Sequence, residues 1–276
     1  IMEMVGKGTE KKGSVWVALR VPDGYISGHA NQSRIATFPL NDPENCLYAE
    51  DVIDFARSKG WFSGEDSEFS FRDAYCPADF GALRGCEARV WSAFNILSHG
   101  WFTFEETKGN LVTKDAYSYV DYAMGHNPDN RMPLWIKPAK KVTVKNVADV
   151  MRDHYEGTPM DMTTDIGAGG NALPYRWRPM DFEYEGKKYT NERAIATQQT
   201  GFWFVGQARG NYPDVIGGIL WFGTDDAATS YVTPIYSNTE KVPECFRQGN
   251  GNLLSYSATS SFWINNRISN ACYRMY

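Results

Sequence analysis

The order of apolar patterns along the chain predicts an α+β fold with antiparallel sheets, not a doubly wound α/β one. Strand-like alternation stands at the start and again in the later part. Helical periodicity lies between and after these runs, and turn-rich loops of hairpin type join neighbouring strands.

The first prediction is a hairpin. Residues 1–5 (IMEMV) and the run SVWVALRV flank a charged, glycine-bounded loop, GKGTEKKG. In the second run Val15, Val17 and Leu19 fall on one face and Trp16 and Ala18 on the other. Ala49–Ser58 reads as a helix with Val52, Ile53, Phe55 and Ala56 apolar and Gly60 as its stop. A second helix is predicted over 86–98, where Val90, Phe94 and Leu97 share a face. Thr143 caps a third over 144–156, with Val147, Val150, Met151 and Tyr155 as the apolar stripe and Gly157 at the end. Strands are predicted at Arg193–Val205, Ile216–Phe222 and Ser230–Tyr236, the last two joined by a loop containing GTDDAA. Phe262, Ile264, Ile268, Ala271 and Cys272 suggest the apolar face of a last helix. Both ends of the chain fall inside elements, so a fragment or processed part of a longer protein is expected.

With 276 residues, 42% of them hydrophobic, the chain can bury a full core as one large domain or two small ones. The net charge of −5 offers no basic footprint for nucleic acid. No apolar run reaches the roughly eighteen residues of a membrane span. Aromatic residues, 14% of the chain, are spread along its length and fit a sheet-rich core better than a binding groove. The five cysteines form no CxxC pair, and free thiols are expected.

Several motifs carry little chemistry. GAGG at 167–170 lacks the Lys-Ser/Thr of a phosphate loop and reads as a tight or flexible loop. The four histidines have no metal-ligand spacing, and His154-Tyr155-Glu156 reads as a helix-end charge and cap. Asp225-Asp226 sits in a turn, where adjacent acids point apart. No GxSxG is present. Cys76 and Cys86 lie near Arg72, Arg84 and Arg89 but near no histidine in sequence, which favours an inert role. Asn31-Gln32-Ser33 matches a glycosylation sequon, yet its flanks, Tyr25–Gly28 and Ile35, read as strand, which favours a buried or site-facing asparagine.

The ordered blocks MEMVGKG, SVWVALRVPDGYISGHANQSRI, LNDPEN, FSFRDAY, RVWSAFNIL, MPLWIKP, ADVMRDHYEGTPMDMT, ERAIATQQTGFWFVGQAR and GGILWFGTDDAATSYVTPIYS cover essentially the whole chain. They resemble the middle and later part of the bacterial cysteine dipeptidases related to secernins, within the N-terminal-nucleophile (Ntn) hydrolases. HANQSRI, RDHYEGTP and IATQQT are the most specific. The resemblance implies a partial αββα sandwich, a single but incomplete domain over 1–276, and hydrolysis of dipeptides or short peptides without a metal or organic cofactor. It also implies a nucleophilic cysteine at a mature N-terminus, whose own α-amine acts as base. The chain starts with Ile1-Met2, and no internal cysteine has a free α-amine. The nucleophile is therefore expected on a missing N-terminal segment of the same protein, and this polypeptide alone is expected to be inactive.

By the same resemblance, Asn31 corresponds to an asparagine at a strand end that donates its side-chain NH₂ to the oxyanion hole. Arg176 corresponds to an arginine near the nucleophile, there to orient the thiol or to meet the substrate carboxylate, with Arg178 an equal alternative. Arg34 and His29 flank Asn31 and are expected to line the pocket as substrate-binding residues. Two rival functions stand beside the peptidase: an acylase acting on acyl amides, which would need an apolar slot, and a non-catalytic binding relative.

Overall fold

Alternating side chains build the first sheet. Strand β1 (Met2–Gly6) pairs antiparallel with β2 (Ser14–Leu19), Met2 facing Ala18 and Gly6 facing Ser14. This hairpin belongs to a computed structural model that describes residues 1–9, 12–176 and 181–274. After the short β3 (Ile26–Ser27), β4 (Cys46–Tyr48) adds to the free edge of β2. Val15, Val17 and Leu19 are buried and Trp16 and Ala18 are half-buried, as the alternation predicts. Helix α1 (Val52–Ser58) lays Val52, Ile53, Phe55 and Ala56 on that inner face. It stops at Gly60, whose φ of 71° belongs to the left-handed region that a side chain would disfavour. The opposite face of the sheet leaves Met2, Met4 and Leu47 exposed.

Helix α2 (Ala88–Ser98) buries Val90, Trp91 and Phe94, while Leu97 is half-buried. A wide π turn, Leu83–Glu87, leads into it. Wide turns of this kind break the helical register and swing side chains off the regular face. The hairpin β5 (Trp101–Thr107) and β6 (Asn110–Asp115) follows, then β7 (Trp135–Ile136), which pairs with β3. Together these elements form one compact unit, Ile1–Lys141; Val142–Tyr276 form a second.

In the second unit Thr143 caps α3 (Val144–Met151) through a reciprocal box with Asn146. The helix ends at Met151, short of the predicted 156. Tyr155 and Gly157 adopt φ of 66° and 73°, so the chain cannot stay helical there. The ring of Tyr155 is buried and its hydroxyl donates to the Arg193 carbonyl at 2.6 Å. Hairpin β8 (Asp181–Tyr184) and β9 (Lys187–Thr190) precedes the main sheet, β10 (Phe202–Ala208), β11 (Gly218–Thr224) and β12 (Thr233–Tyr236), in that order. The strand predicted from Arg193 begins only at Phe202. The segment before it forms turns and is tied sideways by the Ala196 amide donating to the Asp153 carbonyl at 3.1 Å.

Trp203 and Val205 pack with Ala148, Val144, Val147 and Met151 of α3 on one face of this sheet. The other face shows Phe202, Phe204 and Leu220 to solvent. Helix α4 (Ser261–Cys272) reverses its predicted orientation. It buries Ser261, Asn265 and Ser269, and leaves Ile264 and Ile268 exposed. The polar stripe wins because it meets polar partners: Asn265 donates to the Thr224 carbonyl at 3.1 Å and Ser269 to Asp225 Oδ2 at 2.7 Å. Every strand pair among the described residues is antiparallel, and the class is α+β, as predicted.

Candidate functional site

The HANQSRI segment leaves β3 at Gly28, where the missing side chain lets the backbone lie against Val90 of α2; a Cβ there would stand 3.2 Å from its Cγ1. Three charged residues then grip the segment. Glu3 is buried on the inner face of β1, opposite Val17, and its Oε1 accepts from the backbone amides of Arg34 at 2.6 Å and Ile35 at 3.0 Å. The same oxygen meets His29 Nε2 at 2.6 Å. Burial pushes the Glu3 carboxyl up, but His29 and the two amides outweigh it and hold the group below its ordinary value. Glu87, at the end of the π turn, holds the buried Arg34 guanidinium at 3.0 Å. Arg89 donates to the Ala30 carbonyl at 2.9 Å and to Asn31 Oδ1 at 2.8 Å.

Asn31 is not at a strand end. It occupies an exposed bend with φ of 68°, four residues beyond the last residue of β3. Asparagine tolerates this left-handed conformation better than most residues with a side chain. Asn31 lines an open cleft of about 480 Å³ together with Glu3, His29, Gln32, Tyr75 and Cys76. Gln32 reaches across to the Cys76 carbonyl at 2.5 Å and is buried. His29 also borders this cleft. Arg34 does not: its guanidinium faces Glu87 and the carbonyls of Gly28, Pro133 and Leu134, and its side chain is 1% exposed. The expectation that Arg34 binds substrate is corrected by these interior acceptors.

Arg176 lies in the second unit, bordering a cleft of about 300 Å³ with Tyr175, Glu192, Arg193 and Gln198. Its donors also point inward. They reach the carbonyls of Leu173 and Tyr175 at 3.0 Å, the carbonyl of Met162 at 3.2 Å, and the carboxylate of Asp165. Gly167 of the GAGG loop makes room for the guanidinium, since a Cβ there would collide with it, and Gly169 adopts φ 62°, ψ −167°, open essentially to glycine alone. The loop is thus a tight cradle for Arg176. Arg178 lies outside the described residues.

The remaining motifs find structural places. His154 is buried, not a helix-end surface charge; Glu156 accepts from its amide at 2.8 Å and meets its Nδ1 at 3.0 Å. Asp226 is fully buried; its Oδ2 accepts from the hydroxyls of Tyr175 and Tyr273, and burial pushes its carboxyl up. The five cysteines are free thiols, of which Cys46 alone is fully buried. Among the described residues no group of three or more His, Cys, Asp or Glu is arranged to hold a metal. Among them, too, no helix is long and apolar enough to cross a membrane.

Sequence reasoning missed Glu3 and Arg89. Glu3 left one signal: it is the lone acid of the first strand, on the face that alternation assigns to the core. Arg89 left none, because the partners it meets in the bend are 58 and 59 residues away.

The chain belongs to Peptidase family C69, whose family pattern matches residues 1–276. A probable dipeptidase of Latilactobacillus sakei is 25% identical over 236 residues, 86% of this chain and 41% of the relative. A probable dipeptidase of Salmonella dublin is 24% identical over 224 residues, 81% of this chain and 42% of the relative. Dipeptidase A of Lactobacillus helveticus is 21% identical over 269 residues, 96% of this chain and 47% of the relative. The chain thus spans less than half the length of these curated relatives.

Proposed function

We propose that the chain is the substrate-polarising part of a cysteine dipeptidase that cleaves dipeptides or short peptides. One observation carries the reading: Asn31 stands at a cleft in a left-handed bend, its side-chain carbonyl anchored from behind by Arg89. Family membership over the full chain supports the reaction class. In the proposed reaction an N-terminal cysteine on an upstream segment attacks the scissile carbonyl, and its thiol proton passes to the α-amine. The carbonyl oxygen gains negative charge as the C–S bond forms, and Asn31 Nδ2–H donates to it. The α-amine then protonates the leaving amine, and water releases the acyl group from sulfur. His29, on the same wall, is the proposed substrate contact. Arg176 is assigned a framework role, because its donors serve interior acceptors.

We also read the fold as part of an Ntn αββα sandwich. The main sheet of each unit has one face under a helix and one apolar face open: Met2, Met4 and Leu47 in the first unit, Phe202, Phe204 and Leu220 in the second. Such faces suit covering by a further sheet. The unbroken family match supports treating both units as parts of a single domain.

The test is Asn31→Ala in the protein at its full natural length, assayed on dipeptides and on acyl amides. The expected result is a fall in kcat for dipeptides of about a hundred- to a thousandfold with KM little changed. Unchanged hydrolysis would remove Asn31 from the reaction. Faster turnover of acyl amides than of dipeptides would move the protein to the acylases.

A further inference from the structure

Arg89 has a role that neither the family match nor the sequence motifs assign. A guanidinium carries only donors, so whichever end of the Asn31 amide faces it must be the oxygen. The reverse orientation would set N–H against N–H at the distance now measured as 2.8 Å. The carbonyl end is therefore fixed by chemistry, and the NH₂ end is left for the cleft. A charged donor on the carbonyl also draws electron density from nitrogen and strengthens its N–H groups as donors, as in any chain of hydrogen bonds.

Arg89 is itself held in place. Its Nε donates to the Gly85 carbonyl at 2.9 Å, inside the π turn that precedes α2. Its NH2 also takes the Ala30 carbonyl, so the backbone just before the left-handed residue is fixed along with the side chain. One guanidinium thus links a helix to both the main chain and the side chain of the bend. From the other side, Glu3 fixes the two amides that follow at Arg34 and Ile35.

We infer that Arg89 is a positioning residue that sets the orientation and donor strength of the Asn31 amide for the oxyanion. The inference rests on the reading of Asn31 as the oxyanion donor. It goes beyond that reading by naming the group that makes the donor competent.

The test is a double-mutant cycle on the full-length protein, with kcat and KM for one dipeptide measured separately. Arg89→Met is expected to lower kcat about ten- to a hundredfold with KM within about threefold, a smaller loss than deletion of the amide itself. In the Asn31→Ala background the same change is expected to do nothing further, because the group it acts through is gone. Added ethylguanidinium is expected to restore part of kcat to Arg89→Ala and none to the Asn31→Ala, Arg89→Ala pair.

The two readings fail differently. If Asn31→Ala leaves kcat unchanged, the oxyanion reading is lost. If Asn31→Ala lowers kcat but Arg89→Met has no effect, or multiplies with Asn31→Ala, that reading stands and the positioning role is overturned. Should Arg89→Met not fold, Arg89→Lys carries the cycle. Lysine keeps a charged donor but cannot span Gly85, Ala30 and Asn31 together, so an intermediate kcat and the same non-additivity are expected. Failure of both variants to fold would overturn the inference in favour of a purely structural arginine.

Discussion

In the first unit a side chain is gripped by its acceptor end, and its donors remain for the cleft. In the second unit the arrangement is turned round: Arg176 is gripped by its donors, and three carbonyls with one carboxylate take up the guanidinium. Both residues border cavities of comparable size, about 480 and 300 Å³. What separates them is which atoms the interior has already used. A charged residue beside a cavity is a poor guide to binding until its partners are counted, and a neutral amide with its oxygen engaged is a better one.

The largest effect expected from breaking this contrast is the loss of turnover in Asn31→Ala. Arg176→Ala is expected to act elsewhere. Removing the guanidinium leaves Asp165 and several carbonyls short of a partner, which costs about 2–4 kcal/mol. Urea unfolding would record that loss, while kcat per folded molecule falls less than in Asn31→Ala. A larger fall in kcat for Arg176→Ala would mean that the second cleft belongs to the chemistry.

Next in size is Glu3→Gln, expected to cost about 1–3 kcal/mol at neutral pH through the weakened bonds to His29 and the two amides. Its pH dependence has a definite sign. The Glu3 carboxyl lies below its ordinary value of 4.5 when folded, so its stabilisation is present above pH 4.5 and lost as pH falls through the lowered value. The stability gap between wild type and Glu3→Gln should therefore close on acidification below 4.5. A gap that stays constant across that range would show that the charge is not what holds the bend. An effect of similar size, about 1–3 kcal/mol, is expected for Gly167→Ala from crowding the Arg176 guanidinium, read as a lowered melting temperature. No change there would mean that the GAGG cradle can open freely.

Local signals made much of the fold legible. The β1–β2 hairpin followed from alternation, the end of α1 from Gly60, and the start of α3 from Thr143, all decided within a few residues. What sequence missed was decided at long range. The last helix turned its polar stripe inward because Thr224 and Asp225 offer partners some forty residues away. Tyr155 left α3 because its buried hydroxyl serves the Arg193 carbonyl 38 residues on. The site divides in the same way. HANQSRI was readable as a motif, and its Asn31 and His29 border one cleft, but Arg34 could not be placed without Glu87 and the carbonyls of residues 133 and 134. The supports Glu3 and Arg89 lie on a strand and a helix that no spacing rule connects to the bend.

The φ of 68° at Asn31 limits what evolution can write at that position. Glycine would satisfy the backbone but bring no amide. On the proposed oxyanion role, aspartate would fit the bend yet present a negative group to a developing negative charge. Glutamine would keep the amide, but on a longer side chain that lacks the local backbone hydrogen bonding by which asparagine tolerates such a conformation. On that proposal backbone and chemistry select independently, and the overlap of their choices is a single letter.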